Sequence, residues 1–164
     1  MQMRIEKASV EDVRAIQAVL RATWLDTYSP YLAQATLDEV TNVWHDAALL
    51  EARIRDREIF FAVAKRPDGQ VAGLVTAQRT APDDLFIYRL YVRPELQHQG
   101  LGTSLYQATL SAFPGIRRVR LQVVADNQKG FAFWRKLGFT ESGRHDETVA
   151  GETIRVTEME TLIS

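Results

Sequence analysis

The sequence has no cysteine and no long apolar run. The chain therefore has no disulfide, no thiolate metal site and no cysteine nucleophile, which fits the cytoplasmic location that we expect. No segment approaches the roughly 20 apolar residues of a membrane-spanning helix, and the charged N-terminal residues do not resemble a signal peptide. The net charge is only −1. We therefore expect neither nucleic acid nor a membrane as a partner.

Apolar residues make up 46% of the 164 residues, enough for a sizeable core, and we expect a single domain over residues 1–164. Hydrophobic periodicity and capping residues predict strands and helices in the order β α α β β β α β α β β. The second helix is predicted to run from Thr36 to about Ile54, and residues 145–151 are predicted to be a polar loop. This order indicates a mixed sheet flanked by helices.

The most informative stretch is residues 90–105, LYVRPELQHQGLGTSL. A strand ends at Pro94, and a loop with Gln97, Gly100 and Gly102 in the order Q-x-x-G-x-G leads directly into a helix. The free N–H groups at the start of that helix favour an anion, and the glycines let a phosphate approach the backbone. The loop lacks the lysine of a Walker motif and the third glycine of a dinucleotide fingerprint, so an unrelated nucleotide-binding domain is disfavoured.

A second motif follows in residues 121–139, LQVVADNQKGFAFWRKLGF. Asn127 comes after a strand and opens a helix that ends in K-x-G-F. Together the two motifs resemble those of the GNAT superfamily of acetyl-CoA-dependent N-acetyltransferases. Two positions depart from the family pattern: Gly130 replaces an alanine, and Trp134 replaces the usual tyrosine. The segment T-W-x-x-T-Y, which begins at Thr23, is similar to the branch that resembles polyamine acetyltransferases.

The resemblance implies an α/β (α+β) fold with a mixed, mostly antiparallel sheet of about six or seven strands and about four flanking helices. It implies acetyl-CoA as the cofactor, with the strand at Leu90 to Val92 splayed from its neighbour to pair with the pantetheine arm. The cofactor-binding residues that it implies are Leu90, Tyr91, Val92, Gln97, His98, Gln99, Gly100, Leu101, Gly102, Thr103, Asn127, Phe133 and Trp134.

The catalytic residues are less well defined. Where much of the family has a glutamate that relays a proton, this chain has Phe86. Tyr88 is expected to face the same side as Phe86 and Leu90, and its phenol, with a usual pKa of roughly 10, is a poor base unless its surroundings change it. The indole of Trp134 cannot protonate a thiolate but can donate a hydrogen bond to it. Our catalytic candidates are Tyr88 and Trp134; the alternatives are Asp84, His45, His145 or a water chain.

Three aromatic residues near Pro30, namely Trp24, Tyr28 and Tyr31, are candidate substrate contacts, although they also suit a core at the end of the first helix. Acidic side chains that could hold a cationic acceptor are Asp26, Asp38, Glu39 and Asp84. The three histidines are scattered, and we expect no metal site. The last strand and the polar loop before it could support a homodimer.

These observations favour acetyl transfer to a primary amine by direct attack, because the chain has neither a cysteine nor a Ser/His/Asp pattern for an acyl-enzyme. The acceptor is a polyamine, another small amine or a peptide amine. The alternative is a non-catalytic acyl-CoA-binding sensor on the same fold, since Phe86 and Trp134 replace the expected proton-handling residues.

Overall fold

The computed structural model describes residues 2–164 and arranges seven strands in one mixed sheet. The strands are β1 (Arg4–Lys7), β2 (Ile59–Lys65), β3 (Val71–Ala81), β4 (Asp84–Val92), β5 (Arg118–Val124), β6 (Thr140–Val149) and β7 (Glu152–Leu162). Their order is β1-β2-β3-β4-β5-β7-β6. Strands β4 and β5 are parallel, and the other neighbouring pairs are antiparallel. The predicted mixed, mostly antiparallel sheet is confirmed.

Five α-helices accompany the sheet in residues 2–164: α1 (Val13–Tyr28), α2 (Gln34–Glu39), α3 (Ala47–Arg55), α4 (Leu101–Ala112) and α5 (Gln128–Lys136). The predicted second helix is wrong in one respect, since it is two helices joined by a π-helical turn, Val40–Trp44. The side chain of Asp46 accepts hydrogen bonds from the N–H groups of Ala48 (3.1 Å) and Leu49 (3.3 Å) and so begins α3 as its N-cap. None of the helices in this part of the chain is long and apolar enough to span a membrane.

Helices pack on both faces of the sheet, and the strands alternate to match. In β2, Phe61 and Val63 belong to the core beneath α1 and α3, whereas Ala62 and Ala64 belong to the core beneath α4 and α5. Small alanines on one face and larger side chains on the other fit helices that approach at different distances. The central strands are therefore buried on both sides, which explains their continuous apolar sequences.

Residues 145–149 of the segment predicted as a polar loop are instead the second half of strand β6, which pairs with β7 through partners such as His145 and Val156. The hairpin turns at Ala150 (φ 51°) and Gly151 (φ 79°). Because β6 is the edge strand, its side chains alternate between exposed and half-buried positions, so the polar sequence carries no apolar alternation. Only its last residue, Val149, is buried, in a third cluster with Trp24 and Tyr28.

Strands β4 and β5 pair only at their start. The paired residues are Asp84, Leu85 and Phe86 with residues 118–120, and beyond Phe86 the two strands separate. Arg118 holds this closed end through two hydrogen bonds to the carboxylate of Asp84, at 3.0 and 2.6 Å. The splay that the resemblance implied at Leu90 to Val92 is thus present, and it begins earlier in the strand.

A β-bulge at Tyr88 changes which side chains of β4 face each core. Ile87 pairs with Ala77 of β3 and Arg89 pairs with Thr76, so Tyr88 is the extra residue. Tyr88 lies on the same side as Phe86, with ring centroids 5.0 Å apart. Leu90 instead packs into the opposite core. The prediction that Tyr88 and Leu90 share a side is wrong, because the bulge inverts the alternation between them.

His45 offers a test of this packing, because it is buried (3% exposed) immediately after the π-helical turn. Burial, aided by the charge of Arg89, lowers its pKa from 6.5 to about 4. The unfolded chain therefore binds the proton first, and the native state loses stability as the pH falls from 6.5 towards 4. Between pH 7 and pH 5, the unfolding free energy of the wild type should fall by ~2 kcal/mol more than that of His45→Gln, which has no imidazole to protonate. Denaturant titrations at both pH values measure this difference, and parallel losses in the two proteins would contradict it.

Candidate active site

The glycine-containing loop lies at the end of β4, where the side chain of Gln97 fixes it to the strand. Gln97 Nε2 donates a hydrogen bond to the carbonyl of Val92, the last residue of β4 (3.0 Å). His98 (φ 65°) and Gly100 (φ 84°) adopt left-handed conformations that turn the chain into α4. Within residues 2–164, the backbone N–H groups of residues 98–103 have no hydrogen-bond acceptor. The loop therefore offers several donors at a positive helix end, as an anion site requires.

The two sides of this loop differ: one borders a cavity and the other is closely packed. A cavity of about 380 Å³ lies beside it, bounded by Met3, Ile5, Gln99 and Ser104 among others. On the inner side, a Cβ at Gly102 would lie 3.0 and 3.1 Å from two ring atoms of Phe133. Gly102 thus lets the first turn of α4 pack closely against α5, and the two sequence motifs meet at this contact.

Asn127 begins α5 and connects it to α1. Its side-chain oxygen accepts a hydrogen bond from the N–H of Gly130 (2.8 Å), and its Nδ2 donates to the hydroxyl of Tyr28 (3.2 Å). A Cβ at position 130 would lie 2.5 Å from Asn127 Nδ2. The glycine that departs from the family pattern therefore fits this folded-back asparagine. Burial raises the pKa of Tyr28, so its phenol stays protonated.

Trp134 lies in the core between α4 and α5 and is 7% exposed. Its ring is 5.0 Å from that of Phe139 and 5.8 Å from that of Tyr106. The same core raises the pKa of Tyr106 to about 12 by burial. The observed role of Trp134 is aromatic packing against Tyr106, Phe133 and Phe139 in this core; its predicted hydrogen bond to a thiolate stays a prediction.

A second cavity, of about 330 Å³, lies on the opposite face of β4. Four aromatic side chains bound it, namely Trp24, Trp44, Tyr88 and Tyr91. Tyr88 is partly open to solvent (42% exposed), and its hydroxyl donates to Gln78 Oε1 (3.0 Å). The structure thus brings three predicted site residues together here: Trp24, Tyr88 and Tyr91. Tyr28 is buried behind them, whereas Tyr31 is 54% exposed and does not bound the cavity.

Three further residues bound this cavity: His45, Arg53 and Arg89. Of these three residues the sequence predicts only His45, as a possible base, and neither arginine. A signal for Arg89 was available, since it is the only charged residue of the segment LFIYRLYV, the otherwise apolar part of the strand that leads into the glycine loop. A cation in such a strand indicates a specific role, because burying a charge costs free energy unless the charge is paired.

The other proposed bases, Asp84 and His145, do not bound the aromatic cavity. Asp84 is held in its ion pair, and the hydrogen bonds from Arg118 keep its pKa below the usual range. His145 lies on β6, where Nε2 is 2.9 Å from Glu147 and Nδ1 is 3.7 Å from Glu158. The four acidic residues suggested for a cationic acceptor do not bound the aromatic cavity.

Comparisons with known proteins agree with this geometry. The model of the acetyltransferase (GNAT) family matches residues 16–139. The chain is 29% identical, over 145 residues, to the spermidine N(1)-acetyltransferase of Thermoplasma acidophilum, which covers 85% of this chain and 89% of that protein. It also resembles the crystal structure of the PaiA N-acetyltransferase from the same organism in complex with coenzyme A, with a TM-score of 0.82, 25% identity and coverage of 99% and 100% of the two chains.

A GCN5-related N-acetyltransferase from Rhodopseudomonas palustris has the same fold, with a TM-score of 0.80, 19% identity and coverage of 99% of this chain and 97% of that one. The free N–H groups of residues 98–103 and the open edge of β4 fit the pyrophosphate and the amide-bearing arm of coenzyme A. Because the family model matches well over half of the chain, the protein belongs to the acetyltransferase (GNAT) family, and it is an acetyl-CoA-dependent N-acetyltransferase.

Proposed function

We propose that the protein transfers the acetyl group of acetyl-CoA to the primary amine of a small molecule by direct attack. The observation that supports this best is the position of β4 between two spaces. One edge of the strand is open beside the glycine loop, and one face bounds the aromatic cavity. A donor and an acceptor placed in these two spaces would meet at β4. The named activity of the Thermoplasma acidophilum relative towards spermidine also supports an amine acceptor.

On the cofactor side, the N–H groups of residues 98–103 bind the pyrophosphate, and Gln97 keeps the loop in position. The free edge of β4 at Leu90, Tyr91 and Val92 pairs with the pantetheine amides as an added strand would. Asn127, Phe133 and Trp134 border the arm from α5. When bound, acetyl-CoA supplies a thioester carbonyl and a thiolate leaving group.

On the acceptor side, Trp24 and Tyr88 form walls of the cavity, and Tyr28 supports them from behind. His45 is neutral at pH 7 because burial lowers its pKa to about 4, and it is therefore a weak base. The hydroxyl of Tyr88 already donates to Gln78, so its oxygen remains free to accept a hydrogen bond from the amine. We assign Tyr88 the role of orienting the amine, which must reach the reacting carbon in its neutral form.

The proposed function predicts that the protein binds acetyl-CoA and releases thiol when a suitable primary amine is added. Calorimetry measures the binding, and a thiol-reactive dye measures the release with polyamines, small amines, amino acids and peptides. Thiol release with one class of amine is the expected result. Binding without release from any amine would instead favour the acyl-CoA sensor. An absence of binding would contradict the assignment of the glycine loop.

Gly102→Glu tests the pyrophosphate site, and Gly102→Gln is its matched control. Both side chains meet the ring of Phe133, and they differ in charge alone. We expect the glutamate variant to bind acetyl-CoA about tenfold or more weakly than the glutamine variant, because its carboxylate repels the pyrophosphate. Calorimetric dissociation constants measure the ratio, which should shrink at high salt. Equal affinities in two folded variants would show that the phosphates bind elsewhere.

A further inference from the structure

The aromatic cavity on the face of β4 has an unusual charge. Arg53 and Arg89 bound it, and of residues 2–164 no aspartate or glutamate does so. His45, which also bounds it, is neutral at pH 7 because burial lowers its pKa to about 4. The charged side chains at the cavity are therefore both cationic.

Arg89 is incompletely paired within the protein. Its Nη2 donates to the carbonyl of Trp44 (3.0 Å), whereas its Nη1 is buried and has no hydrogen-bond partner within residues 2–164. Burial, together with the positive charge of Arg53, lowers the pKa of Arg89. A guanidinium held this way destabilises the free protein, because no carboxylate in residues 2–164 compensates for its lost hydration.

Three more nitrogen atoms at the same cavity share this condition. In residues 2–164, Trp24 Nε1, Arg53 Nε and His45 Nδ1 are also buried without a hydrogen-bond partner. The four atoms come from β4, α1 and α3, and from the first residue after the π-helical turn. Unsatisfied buried polar atoms are rare in proteins, and a group of them around one cavity is expected where a ligand supplies the missing acceptors.

We propose that this cavity binds a carboxylate of the acceptor, with Arg89 as its principal partner and Arg53 as the second. The acceptor is then an amine that also carries a carboxylate, of the amino-acid class. This inference rests on the proposed function and narrows its substrate. A guanidinium presents two parallel donors that match the two oxygens of a carboxylate. A volume of about 330 Å³ is near the lower end for ligand pockets and suits a molecule of this size.

The same charges oppose a polycationic acceptor. Three of the four acidic residues suggested for such an acceptor have partners elsewhere: Asp84 pairs with Arg118 (2.6 Å), Asp26 lies 4.0 Å from Lys129, and Asp38 accepts from Gln34 (2.9 Å). The fourth, Glu39, does not bound the cavity. A second ammonium group in the cavity would face two guanidinium groups with no carboxylate between them. The charges of the cavity therefore favour an acceptor with a carboxylate over one with a second ammonium group.

The test compares an amino acid with its amide and its decarboxylated amine, for example L-phenylalanine, L-phenylalaninamide and 2-phenylethylamine, with matching sets for methionine and lysine. The amide is less basic than the amino acid and the decarboxylated amine is more basic, so amine basicity cannot explain a preference over both. We expect at least one amino acid to exceed both analogues by about tenfold or more in kcat/KM, measured as thiol release at saturating acetyl-CoA.

Arg89→Met should lower kcat/KM for that amino acid about tenfold or more and change the values for its two analogues without a carboxylate less than about threefold. Arg89→Lys should retain part of the preference. Arg66→Met is the matched control, because Arg66 Nε is also buried without a partner in the described chain but lies away from the cavity. Thermal unfolding and the Kd for acetyl-CoA should show that each variant is folded and binds the cofactor.

Equal or faster turnover of the analogues without a carboxylate would overturn the inference and leave the proposed function intact. If acetyl-CoA binds but no amine releases thiol, the proposed function fails instead. Calorimetry with L-phenylalanine, L-methionine and L-lysine then decides the inference by itself. Binding to the wild type that Arg89→Met abolishes supports it, and no binding of any of the three overturns it.

Discussion

In the part of the chain that the structure describes, strand β4 has no partner beyond Phe86 on the edge that faces β5, although it runs through the middle of the sheet. Unpaired backbone groups inside a sheet are costly unless something else satisfies them. The ion pair between Asp84 and Arg118 closes one end of the opening, and the glycine loop borders the other. Helix α5, which begins after Asn127, packs against the first turn of α4 where Phe133 meets Gly102. The cofactor site thus lies where the pairing between β4 and β5 stops.

The bulge at Tyr88 gives β4 its second role. It inverts the alternation of side chains, so that Leu90 packs beneath α4 while Arg89 and Tyr91 bound the aromatic cavity. One short strand therefore offers backbone groups to the donor and side chains to the acceptor. Burying Arg89 in this arrangement costs free energy. A carboxylate on the acceptor would offset this cost by pairing with the guanidinium.

Much of the fold could be predicted from the sequence because its signals are local. Apolar runs bounded by turn residues predict strands β2 and β5, and the two sequence motifs predict the glycine loop and α5. Three features could not be predicted in this way. The N-cap at Asp46 interrupts a continuous helical pattern, and the polar edge strand β6 has no apolar alternation. The bulge depends on the pairing of β4 with β3, so the orientation of Arg89 could not be predicted from the sequence of β4 alone.

The central claim is that the open edge of β4 and the adjacent loop bind acetyl-CoA. Hydrogen–deuterium exchange with and without acetyl-CoA tests it most directly, because added-strand pairing protects specific amides. We predict slower exchange in residues 87–92 and 98–103, with the β6–β7 hairpin turn at residues 149–152 unchanged. Protection that is absent from both β4 and the loop, in a protein saturated with acetyl-CoA, would contradict the account.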